Sequence, residues 1–174
     1  MRHIKTFDQK DYHSYQKAFK REAVRAIIKY GKHLLLIESN AYQELKFPGG
    51  GIEKNEDHIT ALKREVLEET GLTIIVDSIK PYGYVLEKRA SIYNKDEYFH
   101  MTSYYYIASV LETRSASKLD PYEEKLGYHL CERTLEEAIL QNEKALKMFS
   151  DVPWIQRELY VLKDIFKEES HVTL

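Results

Sequence analysis

Apolar residues along this chain recur at two spacings, every second position and every third or fourth, and the alternation predicts its elements. "EAVRAIIKYGKHLLLIES", Glu22 to Ser39, reads as two strands joined at Tyr30-Gly31-Lys32. "NAYQELKFPGGG" breaks the pattern and predicts a loop, with Pro48 followed by Gly49, Gly50 and Gly51. A helix follows over Asp57 to Thr70, with Ile59, Leu62 and Val66 spaced for a buried stripe. Asp57 suits the N-cap and Gly71 the C-terminal stop. "LTIIVDSIKPYGYVLEKRA" is extended, with a break or bend near Pro81 and Gly83, and "EYFHMTSYYYIASVL" is a long strand rich in aromatic and β-branched residues. "SASKLDPYEEK" reads as a polar loop and "LGYHLC" as a short strand. "TLEEAILQNEKAL" opens with Thr134 and Glu137 at capping-box spacing. A last helix is expected over residues 150–168, capped by Ser150 or Asp151, with Pro153 in its first turn. Its Trp154, Leu159, Leu162, Ile165 and Phe166 are expected to face the body. Residues 1–20 have no clean period and read as a leading strand or an arm. No repeat or linker divides the chain, so residues 1–174 are expected to form one domain. The order of elements predicts a mixed central β-sheet with helices on both sides, an α+β fold or αβα sandwich.

Composition narrows the function classes. Hydrophobic residues at 43% and charged residues at 31% describe an ordinary globular chain with enough apolar content for a core. The formal net charge of −2 gives no support to a stable nucleic-acid partner. The lone Cys131 excludes an intramolecular disulfide, which points to a reducing compartment. No stretch has the length of a signal-peptide core or a membrane span, so a cytoplasmic protein without a membrane partner is expected. The 14 tyrosines suit strand-rich structure.

The Asp57 to Thr70 helix carries an oddity. Glu65, Glu68 and Glu69 share one face at i, i+3 and i+4 spacing, and they cluster near the C-terminus. Like charges repel there, and the macrodipole favours cations. A divalent ion removes the conflict, because magnesium prefers hard oxygen ligands.

The wider stretch "GGIEKNEDHITALKREVLEETGL" fits G-x5-E-x7-R-E-U-x-E-E-x-G-U, where U is a bulky aliphatic residue. All nine specified positions match: Gly50, Glu56, Arg64, Glu65, Val66, Glu68, Glu69, Gly71 and Leu72. This resembles the Nudix box, the signature of the Nudix hydrolase family. Average residue usage puts an accidental match on the order of 10⁻⁷. The resemblance implies a Nudix-type αβα sandwich and hydrolysis of a nucleoside diphosphate linked to another group X. It implies Mg²⁺, with Mn²⁺ as a substitute. Glu65, Glu68 and Glu69 would be metal ligands, joined by Glu56 and a carbonyl of Gly49 or Gly50. Glu69, or Glu68, would help deprotonate the water, and Arg64 would orient the carboxylates.

Within the box, Gly50 lets the backbone approach substrate; outside it, Arg25 in "VRAII" either reaches a substrate phosphate or covers a sheet edge with its stem. Asp120, Glu123 and Glu124 are candidates for the extra carboxylate some family members place on a later loop. His58 and His100 are acid or base candidates, and Tyr82, Tyr84, Tyr104 and Tyr106 are candidates for stacking a base, although core packing suits each better. The neighbourhood "VLEKRAS" past the box lacks the proline common in ADP-ribose hydrolases, and Tyr93 is poorly placed for a dinucleoside polyphosphate hydrolase. The resemblance therefore implies, first, a MutT-like nucleoside triphosphate pyrophosphohydrolase. An ADP-ribose or nucleotide-sugar pyrophosphatase is the alternative, and a non-catalytic nucleotide sensor a further one. A small nucleotide is the expected partner. A homodimer is an expectation by analogy with family members.

Overall fold

The computed structural model describes residues 1–91 and 94–172; Tyr93 lies outside the described residues. Strand β1 (Arg2–Asp8) leads into the long β2 (Lys17–Tyr30), which turns at Gly31 into β3 (His33–Glu38). The short β4 (Leu45–Lys46) precedes helix α1 (His58–Thr70). Then come β5 (Leu72–Ile74), a 3₁₀ turn (Val76–Ser78), β6 (Lys80–Ala90), β7 (Glu97–Ala108) and β8 (Val110–Arg114). Helix α2 (Pro121–Leu126), strand β9 (His129–Thr134), helix α3 (Leu135–Met148) and helix α4 (Pro153–Val172) complete the chain.

Seven strands form one mixed sheet in the order β1-β6-β7-β2-β3-β4, with β9 also on β3. Strand β9 pairs with β3 from His33 to Glu38, so β2 and β4 share the opposite edge of β3. Strands β5 and β8 pair separately.

The period-2 pattern of β2 divides the core into two layers. Val24, Ala26 and Ile28 pack under α1 with Ala61, Leu62 and Val66. Ile27 points the other way, into a cluster with Leu135, Ala138, Val161, Leu162 and Ile165 of α3 and α4. Alternation sends each side chain to the face opposite its neighbour, so one apolar strand supplies both layers. The result is the expected α+β architecture, with the mixed sheet between α1 and the α3–α4 pair.

Helix α1 has the predicted limits. The Asp57 carboxylate accepts from the amides of Ile59 and Thr60 at 2.9 and 3.0 Å, and Gly71 closes the helix at φ 72°. Its stripe is buried at Leu62 and Val66 and partly buried at Ile59.

Three local expectations are corrected. The "LDPYEEK" segment is not a loop: Asp120 and Glu123 form a reciprocal capping box and Pro121 occupies the first turn, so α2 forms there. The last helix begins at Pro153, directly after Val152, rather than from a cap at Ser150 or Asp151. Phe166 is 41% exposed and leaves the core to Leu159, Leu162 and Ile165. Residues 1–20 resolve into strand β1, a connection, and the start of β2. Among the described residues, no helix is long and apolar enough to cross a membrane.

Candidate active site

Gly49, Gly50 and Gly51 run beside β2. The amide of Ala26 donates to the Pro48 carbonyl at 2.8 Å, that of Val24 to the Gly50 carbonyl at 3.0 Å, and Ala23 bridges to Gly51. Two of these glycines are required by space. A Cβ on Gly49, at φ 138°, would lie 2.1 Å from the Val24 carbonyl oxygen. A Cβ on Gly50 would lie 2.1 Å from an oxygen of Glu65. The third, Gly51, presents its carbonyl to Arg64 at 3.0 Å.

Arg64 gathers three of the predicted carboxylates. Its Nε and Nη2 donate to both oxygens of Glu56 at 2.9 and 2.8 Å, a bidentate pair. Its Nη1 donates to Glu65 at 2.7 Å and to Glu68 at 3.3 Å. The Arg64 hydrogen bonds hold the Glu56 carboxyl below its ordinary pKa, whereas burial pushes Glu65 above it against the pull of Arg64. Glu68 is the outermost of the set, with its side chain 44% exposed.

Glu69 turns inward. It is 2% exposed and accepts from the Gly49 amide at 2.7 Å and from Lys46 Nζ at 2.8 Å. Lys46 also sits 3.5 Å from Glu123 and 4.0 Å from the centre of the Tyr128 ring. The glutamate trio is thus split between two cations, Arg64 and Lys46. Among the described residues, no three Asp, Glu, His or Cys side chains form a ready ion cage.

These groups border a cleft of about 530 Å³ lined by Arg21, Arg25, Lys46, Gly49 to Gly51, Glu65, Glu123 and Arg157, among others. The sheet supplies its floor. Arg21 and Arg25 on β2, Met101 and Phe99 on β7, and Glu87 and Arg89 on β6 all project from the face that carries Ile27, Val85 and Tyr105. Deeper along this face α4 covers the sheet; beyond α4 it is open. Arg157 of α4 marks the boundary and pairs with Glu87 at 2.6 Å and Glu158 at 2.8 Å. Glu158 in turn accepts from the amide of Phe47 at 3.1 Å, which ties α4 to the start of the glycine segment.

Each sequence candidate has a definite place. Glu65, Gly49, Gly50 and Arg25 line the cleft. Glu56, Arg64, Glu68 and Glu69 stand behind or beside them, linked through Arg64 and Gly49. Arg25 does not cover a sheet edge: at its position β2 is bonded to β7 on one side and to the Pro48–Gly50 segment on the other, and its guanidinium donates to the Gly49 carbonyl. The Gly49 and Gly50 carbonyls therefore each already accept one hydrogen bond and retain one lone pair.

Of the extra-carboxylate candidates, Asp120 and Glu123 line the cleft. Glu123 is carried in by α2, and burial together with the nearby Glu69 raises its pKa. Tyr104 and Tyr106 surround His58 on the α1 side of the sheet, away from the cleft. Tyr82 donates to Asp164 at 2.7 Å. None of these residues, nor Tyr84 or His100, lines the cleft. The sequence reading missed Lys46, Arg21, Arg89 and Arg157. Period-2 spacing of Arg21 with Arg25, and of Glu87 with Arg89, was the signal available.

Gly50→Ala is expected to displace Glu65 and lower kcat about 100-fold, the scale of a misplacement near 1 Å. Steady-state kinetics beside a urea unfolding curve checks that the loss is catalytic.

The family model for the NUDIX domain matches residues 19–155. No curated protein sequence matches the chain. Among solved structures, a NUDIX hydrolase from Nitrosomonas europaea is similar with a TM-score of 0.55 and 23% identity, covering 71% of this chain and 78% of its own. A MutT NUDIX hydrolase from Burkholderia pseudomallei is similar with a TM-score of 0.50 and 20% identity, over 68% of this chain and 85% of its own. An ADP compounds hydrolase aligns with a TM-score of 0.56 and 19% identity, over 86% of this chain and 74% of its own. At these identities the structures speak for the fold, whereas the domain match takes in nearly all of β2 through the start of α4 and with them the whole box and most of the cleft, and on that ground the chain belongs to the Nudix hydrolase family.

Proposed function

We propose that the protein is a Mg²⁺-dependent hydrolase of a phosphoanhydride bond in a nucleoside diphosphate linked to X, with nucleoside triphosphates the favoured substrates. The observation that carries this reading is the pairing, in one cleft, of a carboxylate set with a row of arginines. The carboxylates suit a hard divalent ion. Glu65, Glu68, Glu69 and Glu56, with the Gly49 carbonyl, are the groups that would hold it. The fit of Glu65 against the bare Gly50 backbone supports this, since any side chain at position 50 would fill that space. When bound, the ion supplies charge neutralisation at phosphate oxygens and acidifies a water.

The chain's own residues do the rest. Arg64 holds Glu56, Glu65 and Glu68 in one orientation. Lys46 and the Gly49 amide hold Glu69 in place. Glu68 is the exposed carboxylate of the set and is placed to accept a proton from the attacking water. Arg25 and the Gly50 backbone receive a substrate phosphate. The excess of arginine on the cleft floor favours an anionic X over a neutral sugar, which puts triphosphates ahead of nucleotide sugars and ADP-ribose. A cytoplasmic setting, a single domain over residues 1–174 and a homodimer belong to the same reading.

The test is incubation with Mg²⁺ or Mn²⁺ and a panel of nucleoside triphosphates, dinucleotides, ADP-ribose and nucleotide sugars, with every product identified. Metal-dependent release of pyrophosphate or phosphate from a triphosphate is expected. Release of AMP from ADP-ribose in preference would move the substrate to the alternative class. Nucleotide binding without turnover would make the protein a sensor and end the hydrolase reading.

A further inference from the structure

Salt bridges do not compensate the charges of the cleft evenly. Glu65 is paired with Arg64, Glu87 with Arg157, and Glu123 with Lys46. Asp120 is committed to capping α2. Glu53 lies on the exposed loop after Gly51. Arg21, Arg25 and Arg89, by contrast, form a salt bridge with none of the described residues, although all three line the cleft. Two of them also bury an unsatisfied donor, Nε of Arg25 and Nε of Arg89. Buried guanidinium nitrogens without acceptors are costly unless something brings acceptors to them.

Arg25 serves the glycine segment. Arg21 and Arg89 lie further out. Arg21 is in register with Met101, which is in register with Glu87; Arg89 is in register with Phe99, one same-face position beyond. Two strands of about 4.8 Å spacing and two residues of about 3.3 Å rise separate their Cα atoms by roughly 12 Å. Both side chains border one cleft, and a phosphate shared by them would draw the Arg21 guanidinium from its place beside Gly51 towards Arg89. Arg89 lies 4.4 Å over the Phe99 ring, which fixes its guanidinium plane. The Arg21 guanidinium reaches back beside Gly51, so the pair opens directly onto the glycine segment.

We infer that Arg21 and Arg89 form a second anion subsite, which takes a phosphomonoester carried on the substrate away from the scissile anhydride. This rests on the proposed hydrolase reading for its orientation, with the scissile phosphates at the Gly49–Gly51 and Glu65 end. It extends the substrate class beyond plain triphosphates to nucleotide derivatives with an additional phosphate, such as one on the ribose. Arginine suits this role because its planar fork binds phosphate in bidentate fashion.

Binding and turnover test the subsite separately. Calorimetry compares AMP with adenosine 2′,5′-bisphosphate and adenosine 3′,5′-bisphosphate on the full chain, for the wild type, Arg89→Ala and Arg89→Lys. Charge-assisted hydrogen bonds predict that one bisphosphate binds at least about tenfold more tightly than AMP. Arg89→Ala is expected to abolish most of that advantage and Arg89→Lys to keep part of it. Turnover then compares NADPH with NADH, and coenzyme A with its dephospho form. At least one pair is expected to favour the phosphorylated member in kcat/KM, with the ratio falling towards one in Arg89→Ala. Equal binding of AMP and both bisphosphates would overturn the subsite even where hydrolysis proceeds. A tenfold binding advantage that Arg89→Ala leaves intact would also overturn it. A bisphosphate advantage that depends on Arg89 upholds the subsite even if no substrate turns over, in which case only the hydrolase reading fails.

Discussion

Glu68→Gln is expected to lower kcat roughly 10²–10⁴-fold, the range for loss of a positioned proton acceptor. The same variant is expected to unfold in urea at nearly the wild-type midpoint. Its side chain is 44% exposed and its ion pair with Arg64 is a long 3.3 Å. Exposed pairs of this kind contribute about 0–1 kcal/mol. Catalysis and stability therefore separate at this position. They do not separate at Glu69, which is buried and holds both the Gly49 amide and Lys46. Glu69→Gln is expected to lose turnover and stability together. Wild-type turnover by Glu68→Gln would remove Glu68 from the chemistry and leave Glu65, Glu69 or Glu123 as the proton acceptor.

The largest stability effect is expected at Arg157. Its side chain is 5% exposed, and its guanidinium pairs with Glu87 at 2.6 Å and Glu158 at 2.8 Å. Burial opposes the charge, but the two carboxylates hold its pKa well above the ordinary value. Arg157→Met would leave two buried carboxylates without a cation, and breaking a buried pair in this way costs about 3–5 kcal/mol. Urea denaturation monitored by Trp154 fluorescence measures the loss. Adding Glu87→Gln to Arg157→Met is expected to recover part of it, because the penalty resides in the unpaired charge. A loss below about 1 kcal/mol would show that the two glutamates take up protons or water at little cost. The network also touches function: Glu158 accepts from the Phe47 amide, two residues before Gly49, so its collapse would loosen the glycine segment.

Helix α1 and the β2–β3 hairpin were legible in the sequence because their determinants are local. Asp57, Gly71 and the Leu62–Val66 stripe act within a few residues of where they stand. The box was legible for the same reason: a helix brings i, i+3 and i+4 together whatever surrounds it. Helix α2 was misread because polarity and Pro121 suggest a loop, whereas the capping box at Asp120 and Glu123 outweighs them. Phe166 was misplaced because helical periodicity does not set the width of the buried face: Ile165 is in the core, and Phe166, one position on, is exposed.

The cleft is another matter. Nothing local to Lys46 announces that it will neutralise Glu69 and Glu123, which are 23 and 77 positions away in the chain. Arg21, Arg89 and Phe99 line one cleft only because β6 and β2 flank β7 in one particular register. Strand order and register are set by the packing of both sheet faces against α1, α3 and α4, a sum over the whole core rather than a property of any segment. The sequence by itself determined the family, the carboxylate helix and the glycine segment that faces it. Only the tertiary structure decided which cations those carboxylates meet and where uncompensated positive charge gathers, because charges distant in the chain become neighbours only after the sheet has assembled.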